Sequence, residues 1–193
     1  KIGLPINKFV VATNQNDILH RAITNGAYNV ENVLETISPS MDIQIASNFE
    51  RLIFDLNNHN DKKTIDVMKG IKEKGRYDIP NELLDKININ FLSSRMNENE
   101  VLNTIKSVYQ KFDKVLDPHS AIGYGAFDKV NLKGNNIVLA TAHPCKFPGA
   151  IEKAINIKAE LPRELGYILN EKENYDIIDY NLNKIKQHIK ERI

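Results

Sequence analysis

The sequence predicts an α/β fold in which a parallel sheet is flanked by helices, and two observations support this prediction. Short apolar runs alternate with helix-like stretches along the chain, as units of strand, helix and parallel strand require. The first run, residues 8–13, is followed by a helical pattern that ends near Gly26, and together they form half of such a unit. The predicted strands are few for 193 residues. We therefore expect part of the sheet to lie outside this chain.

Each element is assigned from the spacing of apolar residues, three or four apart for helices and in short branched runs for strands. Helix starts are assigned from capping residues: Asn14 or Asn16 for the first helix, Asn97 for a later one, and Asp117 followed by Pro118. Two glycines after Pro118 predict close backbone packing there. The predicted strands are residues 8–13, 87–92 and 137–140, and the predicted helices are residues 17–26, 42–56, 61–74, 97–115, 118–130, 147–155 and 178–189.

Composition and charge exclude several classes of protein. A formal net charge of +1 gives no reason to expect a nucleic acid or an anionic membrane as partner. No apolar stretch has the length of a membrane span, no signal-peptide pattern opens the chain, and Cys145 is the single cysteine. We therefore expect a cytoplasmic protein. The chain starts at Lys1 without methionine and enters a strand pattern at once, so we expect it to be part of a longer protein.

The stretch of residues 137–149 contains the first candidate site. Its apolar start predicts a buried strand, which Pro144 ends because proline has no backbone donor for a sheet. Ligands of open α/β sheets bind just past the carboxyl ends of the strands, which is where Thr141 and His143 lie. From the residue types alone, a cap or local backbone bond is the favoured role of Thr141, and Cys145 is better explained as an inert thiol than as a nucleophile. The sequence contains no phosphate-binding glycine loop and no metal-ligand spacing, so no metal site is expected.

Four segments, in order along the chain, resemble the threonine synthase family. Residues 11–19 are similar to its "VATN-x-ND-x-L" segment, and residues 38–52 to "SPSMDIQ…SNFERL". Residues 117–123 resemble "DPH-T-A-V-G", and residues 140–147 resemble "ATAHP-A-K-F". The chain is thereby identified as similar to the C-terminal part of such an enzyme.

The resemblance implies the fold and activity of that family. Threonine synthases use pyridoxal 5'-phosphate, have the tryptophan synthase β-like fold (PLP fold type II), and convert O-phospho-L-homoserine and water into L-threonine and phosphate. In the family, the lysine that holds the cofactor as a Schiff base and the glycine-rich loop for its phosphate lie in the N-terminal part. We therefore expect no catalytic residue in this chain, an inactive isolated fragment, and a missing N-terminal half, in cis or in trans, as partner.

The resemblance also implies roles for five residues. Thr141 corresponds to the threonine that hydrogen-bonds the pyridine nitrogen of the cofactor, and this neutral partner moderates the cofactor as an electron sink. Asn14, Asp17, Ser40 and His143 are expected at the substrate pocket, with His143 orienting its loop through a backbone bond. Residues 1–160 are expected to belong to the catalytic domain, and residues 161–193 to form a helical extension that packs on it.

Two alternatives stay open. The chain is also compatible with a non-catalytic remnant or a split-gene interaction module that needs a separate N-terminal chain. The second alternative is another pyridoxal-phosphate lyase of the same fold, such as a threonine dehydratase, or a sulfhydrylase. The Ser-Pro-Ser-Met-Asp segment at residues 38–42 favours the synthase.

Overall fold

The structure is a computed structural model that describes residues 3–193, apart from the side chain of Leu169. Strands and α-helices alternate over much of this range. The strands are β1 (Phe9–Thr13), β2 (Ala27–Asn29), β3 (Arg76–Asp78) and β4 (Phe91–Arg95), and the helices are α1 (Ile18–Asn25), α2 (Phe49–Leu56), α3 (Asp61–Lys74), α4 (Asn81–Asn90), α5 (Glu98–Phe112), α6 (Pro118–Val130), α7 (Pro148–Ile155) and α8 (Leu182–Lys190).

The strands of the described range form two pairs. β1 and β4 are parallel, with Phe9 opposite Phe91 and Thr13 opposite Arg95, so both strands end at the same edge. β2 and β3 are antiparallel. The predicted α/β class, with parallel strands and flanking helices, is confirmed. The short strands β2 and β3 were not predicted, because three-residue segments give no periodic signal.

Two clusters of buried side chains form the interior of the chain. The first includes Tyr28, Ile53 and Ile87 and fills the space among the first four helices. The second includes Ile105, Ile122 and Ile151, one residue from each of α5, α6 and α7. This second cluster fixes the position of α6, whose N-terminal end is central to the candidate site.

Several predicted elements are confirmed at their ends as well as in their type. α3 has the predicted bounds, with the Asn60 side chain capping its start and Gly75 at φ 67° ending it. α5 starts after Asn97, which forms a reciprocal capping box with Glu100. α6 starts at Pro118 after the capping residue Asp117, and α7 also lies where it was predicted.

The close packing predicted at the two glycines of α6 is confirmed. A Cβ atom added at Gly123 would lie 3.3 Å from Cγ1 of Val138. A Cβ atom added at Gly125 would lie only 2.3 Å from Cε of Met96. The absence of a side chain at both positions therefore lets neighbouring segments approach the helix backbone.

The predicted buried strand at residues 137–140 is wrong. These residues belong to no strand, and Ile137 and Leu139 are 89% and 73% exposed. A strand needs a neighbouring strand to satisfy its backbone groups, and no other strand of residues 3–193 pairs with this segment. Val138, which packs against Gly123, is less exposed than Ile137 and Leu139.

Three other boundaries differ from the predictions because side chains or backbone turns impose other local structure. α2 begins at Phe49 rather than at Asp42, since the Asp42 carboxylate instead accepts the backbone N–H of Thr36, at 2.8 Å. Residues 87–92 are divided between the end of α4 and the start of β4. α5 ends at Phe112, before the predicted residue 115, because Asp113 has a left-handed backbone, at φ 54°.

The cap predicted for the first helix is also wrong. The residue before α1 is Asp17, and its side chain makes no capping bond. Asn14 and Asn16 instead direct their side chains to the loop of residues 34–42. The helix itself ends at Gly26, as predicted, with φ 70°.

The chain divides into two compact units, one ending at Glu160 and one spanning Leu161–Ile193. The second unit contains α8, so the predicted C-terminal helix is confirmed. Leu182 and Ile189 of its apolar face are 66% and 52% exposed, and the packing of this extension on the rest of the chain stays a prediction. Within the described range, none of the helices has the length and apolar character needed to cross a membrane.

Candidate functional site

Thr141 lies on the exposed segment that joins α6 to α7. Its backbone N–H donates to Oγ of Ser120, at 2.9 Å. Its hydroxyl makes no hydrogen bond with any part of the chain that the structure describes, and the residue is exposed. The backbone of Thr141 is thus held in place while its hydroxyl remains free to bind a ligand.

His143 lies two residues further along and shapes the turn that follows. It precedes a short 3₁₀ turn, Pro144–Lys146, and its Nδ1 accepts the backbone N–H of Cys145, at 3.2 Å. His143 therefore makes the backbone bond that was expected of it. Its exposed ring leaves Nε2 available at the surface.

The serine hydroxyl that binds the backbone of Thr141 belongs to a buried group of side chains at the start of α6. Asp117 is 1% exposed, and its two carboxylate oxygens together accept four hydrogen bonds. The donors are the backbone N–H groups of His119 and Ser120, at 2.9 and 3.3 Å, the Nδ1 of His119, at 2.9 Å, and the hydroxyl of Ser120. These bonds and the positive end of the helix dipole stabilise the buried charge. We refer to Asp117, His119 and Ser120 as the Asp117 cluster.

The His119 ring extends the cluster to a second candidate segment. Its Nε2 accepts the backbone N–H of Ser40, at 3.3 Å, within the 3₁₀ turn Pro39–Met41. Because Nε2 accepts and Nδ1 faces a carboxylate, the hydrogen bonds assign a neutral ring with its proton on Nδ1. The ring of Phe147 packs on the imidazole, with ring centres 4.7 Å apart. The Asp117 cluster therefore bonds to both the Ser40 turn and the Thr141 segment.

Asn14 is buried directly after β1 and serves a different network. Its Nδ2 lies 2.9 Å from Oγ1 of Thr36, 2.9 Å from Oγ of Ser38 and 2.7 Å from Oδ1 of Asp42. Its Oδ1 accepts the backbone N–H of Asn16, at 2.8 Å. Asn14 thus connects the end of β1 to the loop that leads into the Ser40 turn.

Asp17 is also committed to the fold. It is 7% exposed, and it binds Arg21 at 2.8 Å and Arg95 at 3.3 Å. Arg21 in turn donates to the backbone carbonyl of Asn29, at 2.8 Å. Asp17 therefore ties α1 to β2 and to the end of β4.

His20, in the first turn of α1, has a shifted pKa. Burial lowers the pKa of His20, Asp17 opposes this shift, and the positive charges of Arg95 and Lys129 add to it. Its Nδ1 lies 2.9 Å from the hydroxyl of Ser93 on β4. The lowered pKa favours the neutral form of His20, and its ring connects α1 to β4 through Ser93.

The structure separates the five predicted site residues into two sets. Thr141, Ser40 and His143 are exposed, and the first two are connected through the Asp117 cluster. Asn14 and Asp17 are buried and fully engaged. His119 and Ser120 were not predicted as site-forming residues, and Asp117 was predicted only as a cap. The resemblance of residues 117–123 to a family segment was the one sequence feature that pointed to them. Their bonding partners, Ser40 and Thr141, lie 79 and 21 residues away in the sequence.

The arrangement fits a ligand that needs one neutral hydrogen-bond partner on an open surface. A threonine hydroxyl can donate to, or accept from, a ring nitrogen without forcing a charge on it. Within residues 3–193, no three side chains of the His, Cys, Asp or Glu type come together as metal ligands would. The exposed Thr141 hydroxyl is therefore available as a neutral hydrogen-bond partner.

Comparison with known proteins finds similarity to threonine synthases. The family described as "Threonine synthase, C-terminal" matches residues 120–189. A threonine synthase from Pseudomonas aeruginosa is 35% identical over 97% of this chain and 41% of its own length. The enzyme from Saccharomyces cerevisiae is 33% identical over the whole chain and 43% of its own length.

Solved structures give the same result for the fold. A PLP-bound threonine synthase from Brucella melitensis superimposes with a TM-score of 0.85, is 38% identical, and matches 98% of this chain and 41% of its own. Threonine synthase from yeast superimposes with a TM-score of 0.81 at 33% identity, over 98% of this chain and 42% of its own. The chain thus spans about two fifths of the length of these relatives.

Proposed function

Since this chain corresponds in sequence and fold to the C-terminal part of a threonine synthase, we propose that it forms one side of a threonine synthase active site. The complete site would convert O-phospho-L-homoserine and water into L-threonine and phosphate, with pyridoxal 5'-phosphate as cofactor. Two kinds of similarity support this proposal, the four ordered sequence segments and the superposition on a PLP-bound relative.

The exposed hydroxyl of Thr141 is the single observation on which the proposal depends. Its backbone is fixed by Ser120 while its side chain makes no bond inside the described chain. In the proposal this hydroxyl holds the pyridine nitrogen of the cofactor. When bound, the cofactor supplies an electron sink for negative charge that develops on substrate carbons, and a neutral partner at the nitrogen moderates that sink.

Ser40 and His143 are proposed to face the substrate, and Asn14 and Asp17 to support the pocket from behind. The first two are exposed next to segments that the Asp117 cluster or a local turn orders. The second two hold the loop of residues 34–42 and the start of α1. In this scheme a loss of Asn14 or Asp17 acts on the shape of the pocket.

We propose an N-terminal part, in the same polypeptide or in a second chain, as the partner that completes the site. The matched relatives continue well beyond the region they share with this chain, which covers 41% of the first of them. Ile137 and Leu139, in a run typical of a buried strand, are 89% and 73% exposed. Such a run would be covered if a further strand paired with it. The lysine that binds the cofactor is expected in that part.

A non-catalytic interaction module is the second candidate, and the same exposed run favours it. An apolar strand-like segment on the surface is typical of a chain that assembles with another. The two candidates differ in whether assembly produces a competent cofactor site. A third outcome, another pyridoxal-phosphate lyase, would differ in the product it releases.

The test mixes the purified chain with pyridoxal phosphate, with and without the N-terminal part of the Pseudomonas aeruginosa relative. We expect the visible absorption of bound cofactor, and phosphate release from O-phospho-L-homoserine, only when both parts are present. Assembly without either signal would support the interaction module. Ammonia release from threonine without phosphate release would support a dehydratase.

Thr141→Val isolates the proposed contact within the assembled protein. We expect a shifted absorption band and at least about a tenfold loss of phosphate release, as removal of a hydrogen bond to an active-site group produces. Thr24→Val is the matched control, because Thr24 is exposed and its hydroxyl only bonds the carbonyl of His20 within α1. Equal spectra and rates for the two variants would refute the role of Thr141.

A further inference from the structure

We propose that the Asp117 cluster positions the Thr141 segment and the Ser40 turn relative to each other. The proposal rests on the proposed function, in which Thr141 holds the cofactor and Ser40 faces the substrate. Asp117, His119 and Ser120 are buried, so they act through the two exposed residues and do not touch a ligand themselves. They are positioning residues.

The carboxylate of Asp117 makes more bonds than capping a helix requires. A capping side chain satisfies one or two free N–H groups of the first turn, and Asp117 does so for His119 and Ser120. It also binds the Nδ1 of His119 and the hydroxyl of Ser120. These two additional bonds do not serve the helix, but they fix the orientation of two side chains that reach out to other segments.

The bond from Asp117 makes the Ser120 hydroxyl a directed acceptor. A serine hydroxyl has one hydrogen, and here that hydrogen points to the carboxylate of Asp117. The oxygen therefore presents only lone pairs towards Thr141, whose backbone N–H it accepts at 2.9 Å. The carboxylate of Asp117 thus determines the direction from which the backbone N–H of Thr141 can donate to Ser120.

The same carboxylate gives the His119 ring its direction. With the Nδ1 proton on Asp117, only Nε2 is left to accept the backbone N–H of Ser40. Phe147, from the segment that carries Thr141, packs on the ring with centres 4.7 Å apart. One buried carboxylate therefore orders two ligand-facing segments. Ser40 lies 79 residues from His119 in the sequence, and Thr141 lies 21 residues from Ser120.

Ser120→Ala tests the proposal in the complete protein, with the N-terminal part present. We expect faster hydrogen exchange at the amide of Thr141, about fivefold weaker binding of pyridoxal phosphate, and a shifted absorption of the bound cofactor, because one hydrogen bond is lost. Ser120→Thr keeps the hydroxyl, and the family segment resembled by residues 117–123 has threonine at this place, so we expect it to restore all three properties.

Ser93→Ala is the matched control, because it also removes one serine hydroxyl that bonds a histidine, at 2.9 Å from His20. We expect it to leave the Thr141 amide and the cofactor spectrum unchanged. His119→Phe keeps an aromatic ring against Phe147 but lacks the acceptor, and we expect it to expose the amide of Ser40 to exchange while that of Thr141 stays protected.

The outcomes separate this proposal from the proposed function. Equal exchange at Thr141 in the Ser120→Ala and Ser93→Ala variants would overturn the positioning role, whatever the cofactor does. Faster exchange without any change in cofactor affinity or spectrum would also overturn it. If the unaltered complete protein binds no pyridoxal phosphate, the proposed function fails, while faster exchange at Thr141 in the Ser120→Ala variant would still support the bond that orders this segment.

Discussion

Two of the four segments that resemble family motifs, residues 11–19 and 140–147, use their polar groups in opposite ways. After β1, Asn14 and Asp17 are buried, and their side chains bind the protein itself. After α6, Thr141 and His143 are exposed, and the chain is held there through backbone N–H groups. In the first segment the side chains build the fold. In the second segment backbone N–H groups hold the chain, with His143 as one acceptor, and the hydroxyl of Thr141 is left free.

This difference shows how a motif match should be interpreted. A matched polar residue can be needed for the loop that it organises or for the ligand that it touches, and the sequence pattern is the same in both cases. Burial together with a complete set of hydrogen-bond partners indicates the first role. An exposed side chain on a fixed backbone indicates the second. Three experiments test whether the difference between buried and exposed groups also appears in the stability of the folded protein.

Asn14→Ala should give the largest effect on stability. It removes the partner of Asp42, Ser38 and the backbone N–H of Asn16 in a buried network, and we expect the free energy of unfolding to fall by about 2–3 kcal/mol. Thr141→Ala, at an exposed hydroxyl without a bond in the described chain, should change it by less than about 0.5 kcal/mol. Urea denaturation of both variants measures the difference, and similar losses would refute the distinction.

The glycines of α6 should give a smaller contrast of the same kind. Gly125→Ala places a Cβ atom 2.3 Å from Cε of the buried Met96, and we expect a net loss of about 1 kcal/mol after the gain in helix propensity. At Gly123 the neighbour is Val138, at 3.3 Å, on the exposed segment. That segment can move, so Gly123→Ala should be about neutral. Thermal unfolding measures both, and a larger loss at Gly123 would contradict the prediction.

The smallest effect should be the pH dependence contributed by His20. Burial lowers the pKa of folded His20 below its ordinary value of 6.5, so the unfolded chain binds the proton more readily. Its contribution to stability is therefore complete above about pH 6.5 and is lost as the pH falls through the folded pKa. Between about pH 7.5 and 5.5, unaltered protein should lose more stability than His20→Gln. If the stabilities of the unaltered protein and of His20→Gln fall in parallel over this range, the folded state does not favour the neutral ring.

Local signals explain which parts of the fold the sequence could predict. The caps of α3, α5 and α6 depend on residues within three or four positions, such as Asn97 with Glu100, and these helices begin where they were predicted to begin. Residues 137–140 have the composition of a strand, but a strand also needs a partner that composition does not specify. The helix expected from Asp42 failed because that side chain binds Thr36 instead.

The candidate site could be predicted only in part, for a related reason. Thr141 was found through its resemblance to a family segment, since a lone threonine after an apolar run has no specific meaning. The roles of His119 and Ser120 depend on contacts with Ser40 and Thr141, which are distant in sequence. Such contacts follow from the packing of α6 in the second core cluster, and no local pattern contains that information.

The parallel pairing of β1 with β4 has a consequence for how the chain folds. Thr13 and Ser94 are 81 residues apart, so the pair can form only after a long loop closes and loses conformational freedom. The local helices between them do not need that closure and can form earlier. We therefore expect the pairing of these two strands to be a late and slow step in folding. During synthesis, β1 cannot pair until the ribosome has released β4.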